Sequence, residues 1–201
     1  MEIFNTLTAV AMPLELVNLD TDRIIPARFL RKPRSAGYHN WLFHDLRYQT
    51  EGLEDPGFVF NHPAYRGAKI LVAAENFGCG SSREGAVWAL AGAGFRAWIA
   101  PSSGDIFFEN TFKNGALAIT LPAGKVAAIR KLLVDLPGTE LTIDLAAQVL
   151  RLPGGATEPF DIDPFRKQCL VEGVDEIGLT LSHEAAIAAY ERRQKEIAPW
   201  L

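Results

Sequence analysis

Nine consecutive residues, Asn76-Phe77-Gly78-Cys79-Gly80-Ser81-Ser82-Arg83-Glu84, put two hydroxyls and a guanidinium beside two glycines. Glycine lets the backbone turn tightly and come close to a ligand. The planar fork of Arg83 suits a carboxylate. An apolar run, residues 69–74 (KILVAA), precedes the stretch and reads as a buried strand. Residues 82–93 follow with Ala86, Ala89, Leu90 and Ala93 on one face, which predicts a helix. Backbone N–H groups converge at such a strand-to-helix turn, and the helix dipole is positive there. The stretch therefore reads as a receptor for a small carboxylate or a phosphate. Ser81-x-x-Glu84 fits a capping box equally well, with one serine capping and the other free for a ligand. A P-loop is excluded because its Gly-x-x-x-x-Gly-Lys pattern is absent. A nucleophile elbow is excluded because no glycine stands two places after either serine.

A second polar run, Asn18-Leu19-Asp20-Thr21-Asp22-Arg23-Ile24-Ile25-Pro26, carries two carboxylates two residues apart. With no His or Cys beside them, a turn that aims Asp22 at an arginine is a better reading than a metal site. Residues 28–57 lose all periodicity and read as a long loop, a kind of segment often functional. Arg28, Arg31, Lys32 and Arg34 cluster there, either to bind a carboxylate or to lie solvated. Tyr38, Trp41, Leu42 and Phe43 could wall an apolar pocket or pack against the body. His39, His44 and His62 lack metal-ligand spacing.

These segments need a frame. Residues 97–100 and 117–121 read as further strands. Asp105 is expected to cap a helix over 106–114 that Gly115 ends, and residues 123–133 read as another helix. Strands alternating with helices predict an α/β layer with parallel pairing. Residues 4–25 read as short strands broken by Pro13. Residues 140–145 and 148–152 read as a hairpin. Asp163-Pro164 starts a short helix, and Ser182 is expected to cap a final amphipathic helix over 183–197.

Composition narrows the function. The chain has 201 residues, 48% hydrophobic and 22% charged, the mix of an ordinary globular protein of one domain. A formal charge of −4 points away from nucleic acid and from anionic membranes. The first twenty residues show no basic start before an apolar run, and no apolar stretch reaches bilayer length, so a cytoplasmic location is expected. Two cysteines, Cys79 and Cys169, make no disulfide framework and are too few to hold an iron–sulfur cluster. Each reads as a small buried filler.

Asp20 to Pro26 (Asp-Thr-Asp-x-Ile-Ile-Pro) and the nine-residue run, taken together, resemble the swivelling domain of the aconitase superfamily, in the free-standing form of the isopropylmalate dehydratase small subunits. Pro164-Phe165-Arg166-Lys167-Gln168-Cys169-Leu170, Gly173 to Thr180, and the terminal Pro199-Trp200-Leu201 are similar too, so the likeness spans nearly the whole chain. The resemblance implies a swivelling β/β/α-type domain over 1–201, a mixed sheet with flanking helices. It also implies a substrate-selecting loop at about 28–57 and a C-terminal helix at about 183–197.

It further implies a large partner subunit that holds a 4Fe–4S cluster with one open iron acting as a Lewis acid; this chain would bind no cofactor or metal itself. Ser81 would be the catalytic serine, moving a proton at the carbon next to a carboxylate. Ser82 and Arg83 would hold a substrate carboxylate, Asp22 would help position the site, and Arg31 and Arg34 of the loop would bind a second carboxylate of the small di-carboxylic acid. The implied reaction turns 2-isopropylmalate into 3-isopropylmalate by dehydration and rehydration, a step of leucine biosynthesis. The sequence departs from the family at Gly85, where a histidine is usual. That motivates a second reading with the same mechanism on a methylated malate or maleate or a homoaconitate-type acid. A third reading is a non-catalytic carboxylate-binding module.

Overall fold

The computed structural model describes residues 1–33, 37–49, 52–198 and 200. Its centre is a seven-stranded mixed sheet built from β1 (Thr6–Leu14), β2 (Ile70–Ala73), β3 (Ala97–Ala100), β4 (Leu117–Thr120), β5 (Glu140–Asp144), β6 (Val149–Arg151) and β7 (Thr157–Pro159), in the order β4-β3-β2-β1-β5-β6-β7. From β4 to β1 the strands are parallel; from β1 to β7 they are antiparallel. Every residue of β2 and β3 is buried. That is the burial expected of parallel strands covered on both faces, and it explains their unbroken apolar sequences. In the antiparallel half, Leu141 and Ile143 are buried while their neighbours are not, the alternation of a half-covered sheet.

The helices are α1 (Thr21–Ile24), α2 (His44–Arg47), α3 (Glu84–Gly92), α4 (Asp105–Lys113), α5 (Ala123–Asp135), α6 (Pro164–Glu172), α7 (Glu176–Leu181) and α8 (Glu184–Ile197). Helices α3 and α4 are the crossovers of two βαβ units, so the turns feeding them leave the carboxyl ends of β2 and β3. Helix α5 packs across β1, β2 and β3. Among the described residues no helix is long and apolar enough to cross a membrane.

Several expectations are corrected. The region 4–25 holds one nine-residue strand and a short helix, not short strands broken at Pro13. Pairing of β1 with β5 ends at Val10, so Pro13 lies where one edge of β1 carries no ladder and its missing N–H removes nothing. Asp105 does not cap α4. Gly104 is the cap residue and offers no side chain, while Asp105 is the first helical residue, with its charge at the positive end of the dipole. Ser182 does not cap α8 either: its hydroxyl donates back to the Leu179 carbonyl at 2.6 Å, and α8 begins after His183. Asp163 does cap α6, its carboxylate accepting from the Arg166 N–H at 3.0 Å, with Pro164 in the first turn and Gly173 closing the helix at φ 69°.

The long loop is packed rather than open. Tyr38, Leu42 and Phe43 are buried in the core, and Trp41 stacks on Phe29 with ring centres 5.2 Å apart. Packing against the body is therefore the role of these rings, not the walling of an open pocket.

Candidate active site

Three turns meet beyond the carboxyl ends of the parallel strands, the place where α/β proteins bind ligands. They follow β1 (residues 15–20), β2 (74–83) and β3 (101–104). Backbone hydrogen bonds continue the sheet through them. Asn18 N–H donates to the Glu75 carbonyl at 3.0 Å, Gly78 N–H to Leu19 at 2.8 Å, and Thr21 N–H to Cys79 at 3.0 Å. On the other side Phe77 N–H donates to Ser102 at 3.0 Å and Gly104 N–H to Phe77 at 2.9 Å. The Asn76 side-chain amide donates to the Asn18 side-chain oxygen at 2.8 Å, and both asparagines sit at positive φ, 58° and 53°, a conformation asparagine tolerates. Gly78 has no substitute. Its φ is 69°, and a Cβ there would lie 2.3 Å from the Phe107 ring.

The serines sit at the tip of the middle turn. Thr21, buried, donates its hydroxyl to the Ser81 carbonyl at 3.0 Å, and Arg83 N–H donates to the same carbonyl at 2.9 Å. The backbone of Ser81 is thus held from two sides. Both serines are exposed. With Gly78, Gly80, Gly104 and Asp105 they line a cleft of about 200 Å³. Among the described residues neither hydroxyl takes part in a hydrogen bond. The first turn of α4 forms the facing wall, so its unbonded N–H groups border the same space.

The capping box does not form. Helix α3 starts at Glu84, the cap position belongs to Arg83 in extended conformation, and no side chain caps it. Glu84 instead accepts from the Asn114 amide at 2.8 Å. Neither serine is needed to begin the helix.

Asp22 is aimed at an arginine, as its spacing suggested. It pairs with Arg83, and its carboxylate also accepts from the Ala27 N–H at 3.2 Å. The contact runs through the buried Nη1 of Arg83.

Asp22 also lines a second cleft, of about 510 Å³, with Arg23, Pro26, Ala27, Arg28, Asp45 and Leu46. Arg23 was not nominated from sequence, although it directly follows Asp22; Arg28 was named only within the loop's basic cluster. Arg28 is committed to Asp45, to which it gives both of its terminal nitrogens. These hydrogen bonds hold the Asp45 carboxyl down to about 2, against the opposing effect of burial and with help from His44. Arg31 is exposed and lines neither cleft. Arg34 lies outside the described residues.

The thiols do not fit as cluster ligands. Cys79 is half-buried in the glycine turn, whereas Cys169 lies on α6 in the wall of a different cavity, where burial chiefly pushes its thiol up. Among the described residues no three His, Cys, Asp or Glu side chains come together as a metal site.

Comparison with known proteins fits this geometry. Residues 1–124 match the model of the aconitase C-terminal domain, and residues 127–164 the model described as LeuD_N. Residues 176–201 match the model of the C-terminal domain of the 3-isopropylmalate dehydratase small subunit. The chain is 53% identical over 204 residues to the 3-isopropylmalate dehydratase small subunit of Paramagnetospirillum magneticum, and 50% identical over 201 residues to that of Parvibaculum lavamentivorans. Both alignments span 100% of both chains. A crystal structure of 3-isopropylmalate dehydratase from Methanocaldococcus jannaschii superposes with a TM-score of 0.65 at 22% identity, over 92% of this chain and 99% of that one; it supports the fold.

Proposed function

The chain belongs to the 3-isopropylmalate dehydratase small subunits of the aconitase superfamily, and from that premise we propose that it completes the active site of a hydro-lyase on 2-isopropylmalate. Family resemblance gives the large subunit a 4Fe–4S cluster, whose open iron serves as the Lewis acid when the two chains are joined. This chain contributes the groups around the reacting carbon. Ser81, as its anion, takes the proton from the carbon next to a carboxylate as hydroxide leaves, and returns that proton when hydroxide adds one carbon over. Ser82 and Arg83 hold a substrate carboxylate, and Asp22 keeps the guanidinium in place.

A serine hydroxyl is a weak base unless its anion is stabilised. The N–H groups at the start of α4, which line the cleft, can do that, and Arg83, two residues after Ser81, adds a positive charge. Oxyanion donors of this kind contribute roughly 2.7–4 kcal/mol each in a dry site. In the isolated chain the cleft is open to water, so the partner must close it for the effect to reach that size. Arg23 joins the proposal as a cation beside Asp22, in place of Arg31, which stands away from both clefts.

One observation carries the reading: two exposed hydroxyls, neither in a hydrogen bond among the described residues, stand at the junction of three sheet-end turns, in a turn whose arginine is paired with Asp22. The experiment is reconstitution with a cluster-bearing large subunit and assay on a panel of acids. Turnover of 2-isopropylmalate is expected. Fast turnover of a methylated malate or maleate, or of a homoaconitate-type acid, without isopropylmalate turnover would replace the substrate and keep the mechanism. Tight carboxylate binding by the lone chain, with no activity in any complex, would make it a binding module.

A further inference from the structure

Gly85 is the second residue of α3 and is buried. Its φ lies outside the left-handed region, so the backbone does not require glycine. Helix propensity favours alanine there by about 1 kcal/mol. Space is what requires glycine. A Cβ at this position would lie 2.7 Å from Leu30 Cδ2 and 3.1 Å from Tyr38 Cε1. The bare first turn of α3 is the seat on which Leu30 rests.

The segment around Leu30 is held to that seat from several sides. Leu30 N–H closes the turn at Ala27–Phe29 by donating to the Ala27 carbonyl at 3.1 Å. The buried Tyr38 phenol donates toward the carbonyls of Lys32 at 3.0 Å and Leu30 at 3.3 Å. Its ring meets Trp88 of α3 edge-on, with centres 5.5 Å apart. One end of the segment is anchored at Asp22 through Ala27, and Asp22 pairs with Arg83, two residues before Gly85. The depth at which Leu30 sits therefore sets how closely residues 27–32 approach the Asp22–Arg83 pair.

We propose that Gly85 is a positioning residue for substrate selectivity: its missing side chain seats Leu30 and draws residues 27–32 beside Arg83, which sets the space left for the alkyl group of the substrate. The proposal rests on the functional reading above. An added Cβ meets the tip of Leu30, which can turn aside, and crowds the Tyr38 ring at 3.1 Å, so Gly85→Ala is the milder test. The ring of Gly85→His cannot be accommodated without lifting the segment.

Hydrogen exchange on the free chain reads the seat directly. The Leu30 and Lys32 amides should exchange faster in Gly85→Ala and faster still in Gly85→His, and Gly85→Ala/Leu30→Ala should return Lys32 towards the wild-type rate. Unchanged exchange in Gly85→His overturns the proposal. Selectivity is read in the complex. The ratio of kcat/KM for isopropyl- over methyl-substituted malate should shift at least about tenfold in Gly85→His, the low end of the discrimination that one methylene group provides. An unchanged ratio beside altered exchange overturns the selectivity role. If the wild-type complex turned over no acid, the functional reading would fall, and the exchange data alone would decide the seat.

Discussion

Ser81 is useful because its backbone is busy and its hydroxyl is not. Thr21 and the Arg83 N–H both bond its carbonyl, which fixes the residue while the side chain faces the cleft. Arg83, two residues on, pairs with Asp22 through its Nη1. Arg83→Lys should keep the charge and lose the fork; we expect KM to rise at least about tenfold, since a forked, charge-assisted contact of roughly 1.5–3 kcal/mol is removed. Steady-state kinetics on the complex would check this, and unchanged kcat and KM would remove Arg83 from carboxylate binding. Gly78 acts through shape. Gly78→Ala places a Cβ inside the Phe107 ring contact at positive φ and should destabilise the chain by about 2–4 kcal/mol, read as a lower midpoint in denaturant. From sequence, the residue types and order in the nine-residue run read as a receptor for a small carboxylate or a phosphate. Whether the serines served the helix or a ligand was not, because Ser-x-x-Glu suits both, and only the start of α3 at Glu84 decides it.

At the scale of elements, β2, α3, β3, α4 and β4 could be read because fully buried strands are continuous apolar runs and their helices alternate with them. The misreadings have local causes. Pro13 broke the reading of β1, since sequence cannot tell that β5 stops pairing at Val10. Strand β7 is three residues long with Pro159 at its end, too short and too polar to show a period. Asp105 and Ser182 are good capping residues that sit one place away from the cap. The long loop was aperiodic because its order comes from rings and ion pairs far apart in sequence. Its Arg28–Asp45 pair gives a pH prediction. The Asp45 carboxyl sits at about 2 in the folded chain, below its ordinary value of about 3.9. The stabilisation is therefore fully present above about pH 4 and is lost as pH falls towards 2. Both side chains are half exposed, so it amounts to less than about 1 kcal/mol. Asp45→Asn should flatten thermal stability between pH 4 and 2 and leave its slope above pH 5 unchanged; an unaltered acid slope would show that the pair is not maintained in solution.

In the proposed account the whole molecule supplies half of a site. Its three sheet-end turns are tied firmly to a buried sheet, yet the cleft they form is small and open, and among the described residues there is no ligand set for a cluster. Each chain alone should therefore be inactive, and mixing with a cluster-bearing large subunit should produce turnover. The most direct test is the rate of 2-isopropylmalate conversion by the assembled complex carrying Ser81→Ala, beside the wild type. The account predicts an intact complex, because Ser81 is exposed and holds no side-chain hydrogen bond among the described residues, with kcat lowered about 10²–10⁴-fold. A complex that assembles normally and turns over within about twofold of the wild-type rate, far short of a general acid–base contribution, would contradict it.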